Sequence, residues 1–196
     1  MAAQRGNLEA LRKVWVWAKE KFTTEEINKL LLARDNDGRT VWHVAALRGN
    51  LETLQKIWDW AKEKLTTEEI NNNLLFAKDI KGRTVWQMEV ENSNLFTLEK
   101  VRDLAKQEVT TEEINNNLFS ATDHWGRTVW HVAALRGKKF LLEKLCEWVK
   151  EARTTEEVYN KLLSTTDNKG RTVWQLAEEW GNLEILEELR SFLKGN

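Results

Sequence analysis

The stretch Asp35–Asn50, DNDGRTVWHVAALRGN, returns at Asp123–Lys138 as DHWGRTVWHVAALRGK, with the two letters after the aspartate as the main change. Working outward from it, GRTVW begins at Gly38, Gly82, Gly126 and Gly170, each 44 residues after the last. TTEE follows at Thr23, Thr66, Thr110 and Thr154; the first interval is one residue shorter because INKLLLARD stands where the next has INNNLLFAKD. A fixed period of this kind marks a repeat architecture, in which each repeat buries its apolar face only against its neighbours. The chain therefore reads as one repeat domain over 1–196. It comprises a partial repeat at 1–37, full repeats at 38–81, 82–125 and 126–169, and a C-terminal capping repeat at 170–196.

The letters within a repeat predict an all-α unit. Asp79-Ile80-Lys81-Gly82 is an Asp-x-x-Gly turn, with the aspartate placed to accept from amides ahead of it and the glycine free to take positive φ. Val41, Val44 and Ala45 recur at helical spacing, and Gly49 stands just past the expected helix end. Leu51, Leu54, Ile57, Trp58 and Ala61 give a second helix with one apolar stripe. Thr66-Thr67-Glu68-Glu69 is a capping box, and Ile70, Leu74 and Leu75 follow it, which predicts a short third helix.

These residues carry a resemblance. DNDGRTVWHVAALRGNLETLQKIW resembles the ankyrin repeat, a turn plus two antiparallel helices with a T-P-L-H-x-A signature over roughly 33 residues; Thr40, His43, Ala45, Gly49 and Leu51 fall on that pattern. The sequence departs from it where Val41, Val85, Val129 and Val173 replace the proline and Trp42, Trp86, Trp130 and Trp174 the leucine. Each repeat is also longer by about 11 residues, taken up by the TTEE helix. The resemblance implies an ankyrin-like solenoid with hairpin-like turns and one extra short helix per repeat. It also implies a hydrogen bond from Thr40 to His43 and from Thr128 to His131, with Gln87 and Gln175 standing in elsewhere. Four tryptophans in one register are expected in the core, where a large ring buries on the order of 150–250 Å².

Composition narrows function. Among 196 residues, 30 are basic and 31 acidic, for a net charge of -1, and lysines alternate with glutamates in strings such as WAKEKLTTEE, so no nucleic-acid partner is expected. No apolar run is long enough to span a bilayer and no signal peptide opens the chain, so a cytoplasmic or recombinant soluble protein is expected, with no membrane partner. One cysteine, Cys146, allows neither an internal disulfide nor a multi-cysteine metal site. His43, His124 and His131 have no acidic or cysteine partner at ligand spacing, and no phosphate loop or nucleophile elbow occurs, so no metal, no cofactor and no enzyme activity are expected.

Comparing the repeats with one another locates the candidate contacts. The turn pairs are Asn36-Asp37, Ile80-Lys81, His124-Trp125 and Asn168-Lys169; the outer two suit a solvated turn, whereas Ile80 and Trp125 call for something to cover them. At the end of the first helix, Leu135-Arg136 stands where the middle repeat has Glu91-Asn92 and Ser93 replaces Gly49. The predicted protein-binding residues are Ile80, Lys81, Glu91, Asn92, His124, Trp125, Leu135 and Arg136. In ankyrin-like proteins the turn tips and first-helix face form a protein-binding groove, so the resemblance implies a non-catalytic, monomeric protein-binding module. The near-identical repeats, and MAAQRGN opening in mid-repeat as a designed cap would, resemble a consensus or engineered scaffold; the alternative is a structural array or scaffold fragment with no target of its own. Glu89, where the neighbouring repeats have alanine, should cost stability unless it meets solvent or a partner.

Overall fold

Each threonine-led box closes as its letters dictate. The Thr66 hydroxyl accepts from the Glu69 amide at 3.2 Å while Glu69 accepts from the Thr66 amide at 2.9 Å, and the same reciprocal pair forms at Thr23 with Glu26 and at Thr110 with Glu113. Two otherwise orphaned amides are thereby satisfied at each helix start. A computed structural model describes residues 8–151 and 163–194, so the fourth box, at Thr154, lies outside the described residues.

The regular structure is helical, and no strand occurs among the described residues. In chain order the helices are α1 (Leu8–Lys21), α2 (Thr24–Leu32), α3 (Val41–Leu47), α4 (Leu51–Lys64), α5 (Thr67–Ile70), α6 (Val85–Glu91), α7 (Leu95–Ala105), α8 (Thr111–Ser120), α9 (Val129–Arg136), α10 (Lys139–Glu151), α11 (Val173–Glu179) and α12 (Leu183–Lys194). Two of the connecting turns close with an isolated antiparallel bridge, Arg34 with Thr40 and Thr166 with Thr172. Gly49 and Gly137 take φ of 62° and 61° at the ends of α3 and α9. Ser93 adopts φ 62° in the same place, a left-handed conformation that a non-glycine residue holds only when its surroundings impose it.

Packing divides the chain into two bodies, Met1–Glu89 with Phe96–Val109 and Val90–Leu95 with Thr110–Asn196. In the first, α3 packs on α4, and Trp42, Leu54, Ile57, Trp58, Leu74 and Trp86 are fully buried. The Trp42 and Trp58 rings meet at 5.5 Å. In the second, first helix packs on first helix (α9 on α11) and second on second (α10 on α12), around Leu141, Leu145, Ile185 and Leu189. Trp130 belongs to that core and packs against Phe119 at 5.4 Å, whereas Trp174, in the last repeat, is only half-buried.

The short third helix is not wound alike everywhere. After α5 the chain continues as a π-helical turn, Asn71–Leu75, with the Phe76 amide reaching the Asn71 carbonyl at 2.9 Å, while α8, with the same INNN run, remains α-helical. The π turn coincides with a hydrogen bond from the Trp86 indole to the Leu75 carbonyl, 3.2 Å. Among the described residues, the indole N–H groups of Trp42 and Trp130 have no such partner. Glu89 is fully buried on α6, so solvent does not accommodate it, and Arg102, in the position of Trp58, is buried on α7 of the same repeat.

Candidate protein-binding surface

The turn tips are built by one device used four times. In the second repeat the Asp79 carboxylate accepts from the amides of Lys81 and Arg83, each at 2.9 Å, and from Nε of Arg83 at 2.9 Å, while the Gly82 amide donates to the Asp79 carbonyl. Asp35, Asp123 and Asp167 do the same with Arg39, Arg127 and Arg171. Sequence reasoning saw the aspartate and the glycine. It missed that the arginine of GRT locks the carboxylate. Burial raises the Asp79 carboxyl, but the Arg83 side chain, the Arg83 amide and the Lys81 amide together outweigh it, so the group lies below the usual carboxylate range; Asp35 and Asp167 follow the same pattern.

Consecutive turns are joined within each body. The Ile80 amide donates to the Asp37 carbonyl at 2.9 Å, and the Asn168 amide to the Trp125 carbonyl at 2.9 Å. A methyl group added at Gly38 would meet the Ile80 nitrogen at 2.8 Å and its Cγ2 at 2.9 Å, and one added at Gly126 would collide with the Asn168 side chain. These glycines are thus required for space as well as for φ. Gly170 would meet nothing and needs only its positive φ of 74°.

Those contacts rank the predicted residues. Ile80 is 56% exposed, yet part of its side chain lies over Gly38. Lys81, His124 and Trp125 are exposed. The Trp125 ring is 48% exposed and its other face covers the Arg127 guanidinium, 4.6 Å from the ring centroid. Its backbone is held on both sides, the amide by Asp123 at 2.9 Å and the carbonyl by Asn168. Asn168, expected to be a bland turn residue, donates from its side chain to the His124 carbonyl at 2.9 Å, so it holds the turn that presents Trp125.

At the first-helix face the structure brings two predicted residues against each other: Arg136 donates to the Glu91 carboxylate in an ion pair. Asn92 is exposed and Leu135 half-buried, while Asn182 ties the end of α9 by donating to the Ala134 carbonyl at 2.6 Å. Sequence reasoning missed Phe96, 76% exposed at the start of α7, and Trp180 and Leu183 at the last turn. The signal was available for Phe96, because this position carries Glu52 and Glu184 in the outer repeats and phenylalanine, as Phe96 and Phe140, in the two between them.

Behind this surface stand two buried histidines. The His43 Nδ1 faces the Thr40 amide and hydroxyl at 3.3 and 2.9 Å, and Nε2 meets the Ala77 carbonyl at 3.1 Å. An amide on one side and a carbonyl on the other select the neutral ring that carries its proton on Nε2. His131 repeats this with Thr128 and the Arg171 carbonyl, and Gln87 and Gln175 accept from Thr84 and Thr172. Burial lowers the His43 pKa to about 4 and the His131 pKa in the same direction. Below the unfolded value near 6.5 the unfolded chain takes up a proton that folded His43 refuses. Its contribution is therefore present above about pH 6.5 and lost as the pH falls towards 4. We expect about 3 kcal/mol to disappear across that window from His43. His43→Gln should flatten this part of a pH series of urea melts while leaving the neutral-pH stability close to the parent's; an unchanged slope would show that His43 is not the group responsible. The aspartates, with lowered pKa values, lose their contribution only at more acid pH.

Among the described residues no three histidine, cysteine, aspartate or glutamate side chains are placed to hold a metal ion, and no helix is long and apolar enough to cross a membrane. Compared with known proteins, the chain matches no family model and no curated relative.

Proposed function

We propose that the chain is a non-catalytic protein-binding module, an ankyrin-like solenoid of consensus-like or engineered repeats, each extended by a short third helix. Trp125 carries this reading. A large aromatic ring on a turn locked by four hydrogen-bonded groups is preorganised for contact, and binding energy at protein interfaces concentrates in such anchors. His124 flanks it on the same turn; Ile80 and Lys81 occupy the equivalent turn of the other body, and Asn92, Leu135 and the Glu91–Arg136 pair offer a polar first-helix rim.

The test is affinity capture with the full chain, followed by titration of single variants against the captured protein. Trp125→Ala should weaken binding by about 2 kcal/mol or more, roughly thirtyfold, while costing the fold no more than about 1 kcal/mol, the size of a cation–π contact and an exposed side chain. Ile80→Ala should weaken binding in the same direction. Lys169→Ala, at the matching position of the last turn, is the control; Asn168→Ala is unsuitable because it loosens the turn that bears Trp125. Unaltered affinity in Trp125→Ala would place the contact elsewhere. The Glu91–Arg136 ion pair favours a second reading, a structural array without a target, because there the variation between repeats serves internal fit. Under that reading no partner is captured.

A further inference from the structure

The third helix of a repeat runs between two fixed points, the threonine box at its start and the arginine-locked aspartate of the turn beyond it. These anchors are alike at Thr23 and Asp35, at Thr66 and Asp79, and at Thr110 and Asp123. The span between them is one residue longer in the second and third cases than in the first. The two longer spans store that residue differently. Where α2 has nine residues α8 has ten, so one span adds it to the helix. The other winds Asn71–Leu75 as a π turn, in which the Phe76 amide reaches one residue further back than an α-helical bond would. Only the π form serves the tryptophan of its repeat. The Trp86 indole donates to the Leu75 carbonyl, whereas Trp130, as deeply buried, has an indole N–H with no partner among the described residues. An enclosed donor without an acceptor is unfavourable. Side chains hold α8 in spite of it: the Ser120 hydroxyl donates to the Asn116 carbonyl, and the Asn117 side-chain amide to the Glu113 carbonyl at 2.9 Å. Phe76, in the register of Ser120, has no hydroxyl to do the same.

We propose that α8 exchanges between its α-helical winding and the π-wound form that the second repeat displays, and that in the π-wound form the Trp130 indole bonds the carbonyl of Phe119, the residue in the register of Leu75. Both anchors keep their bonds, because the surplus residue only moves along the segment between them. Such register changes fall in the μs–ms range, with a minor form of about 0.1–10%. The exposed flank of α8, bearing Asn116, Asn117 and Ser120, is thereby connected to a buried ring on α9. A ligand that grips one winding of that flank shifts the state of Trp130, so the helix is a two-state element on which regulation can act.

The experiment is heteronuclear NMR of the full chain, reading relaxation dispersion and the tryptophan indole N–H resonances, with Trp42→Phe, Trp86→Phe and Trp130→Phe to identify the latter. In the parent, the Ser120 and Ala121 amides and the Trp130 indole should exchange at one common rate. The Trp86 indole should be quiet and lie downfield of Trp42 and Trp130, as a hydrogen-bonded N–H does. Ser120→Ala removes the hydroxyl bond, and Ser120→Phe installs the residue of the second repeat. At this exposed position both should keep the parent's melt, raise the π-wound fraction at least about tenfold and move the Trp130 indole towards the position of Trp86. A parent without dispersion at these groups overturns the proposal, as does a Trp130 indole that stays put in both Ser120 variants. Dispersion of equal size throughout α9 and α10 also overturns it, because that marks opening of the whole body. The melts identify a Ser120 variant that fails to fold, and the other then decides.

Discussion

Replacing Trp86 by alanine is expected to lower the unfolding free energy by about 3–5 kcal/mol, the range for removing a large side chain from a packed core. The ring is fully buried, and its N–H is spent on the Leu75 carbonyl at the end of the π turn. The substitution removes the apolar contacts and also strands that carbonyl, so it should sit at the upper end of the range. Trp86→Phe separates the two effects, since it keeps most of the ring and loses the hydrogen bond. It should cost about 1–2 kcal/mol more than Trp42→Phe, because the Trp42 indole has no hydrogen-bond partner among the described residues. Trp174→Ala supplies the gradient: that ring is half-buried, and its loss should cost well under half as much as Trp86→Ala. Urea melts of the four variants read all of this. A Trp86→Ala value below about 1 kcal/mol, usual for surface changes, would contradict the burial.

The second large effect lies in the same repeat. Glu89 and Arg102 place opposite charges, fully and nearly fully buried, where the preceding repeat has Ala45 and Trp58. An ionised group taken out of water is tolerated only when it is compensated. Arg102→Trp alone and Glu89→Ala alone should therefore each cost about 3–5 kcal/mol, since each removes one of two opposite charges buried in the same repeat. Glu89→Ala with Arg102→Trp restores the pattern of the neighbouring repeat and should cost far less than the sum of the two, because well-packed apolar residues in place of two opposite buried charges are often neutral or stabilising. A double-mutant cycle gives the coupling directly, with about 2 kcal/mol or more expected. Additive costs would mean that each charge is compensated by different neighbours.

Much of this fold is legible in the sequence, and the reason is local. Thr23, Thr66 and Thr110 satisfy amides three residues away, and Asp79 satisfies amides two and four residues away, so the code and its reader sit within one turn of chain. The tryptophan core is legible because four copies in register leave few other roles. What the sequence hides depends on neighbours distant along the chain. The Ile80 side chain looks free until Gly38 is placed beneath it, Asn168 looks like a solvated turn residue until it reaches His124, and Glu91 and Arg136 look like separate contacts until they meet. The π turn after Ile70 is hidden for another reason. The same INNN run winds as an α-helix in α8, so the winding follows the residues beyond it, Leu75 and Phe76 in one case and Phe119 and Ser120 in the other.

The joined turns also bear on how this scaffold could be diversified. The first tip residue of a turn, Ile80 or Asn168, is read by the glycine of the turn before it, whereas the second, Lys81 or Lys169, supplies none of the atoms nearest that glycine. A combinatorial library that varied both letters at every tip would spend half its diversity on positions where most members disturb the spacing between turns. The usable alphabet is wide at the second position and narrow at the first, where a variant must still pack over a glycine and donate its amide to the preceding carbonyl.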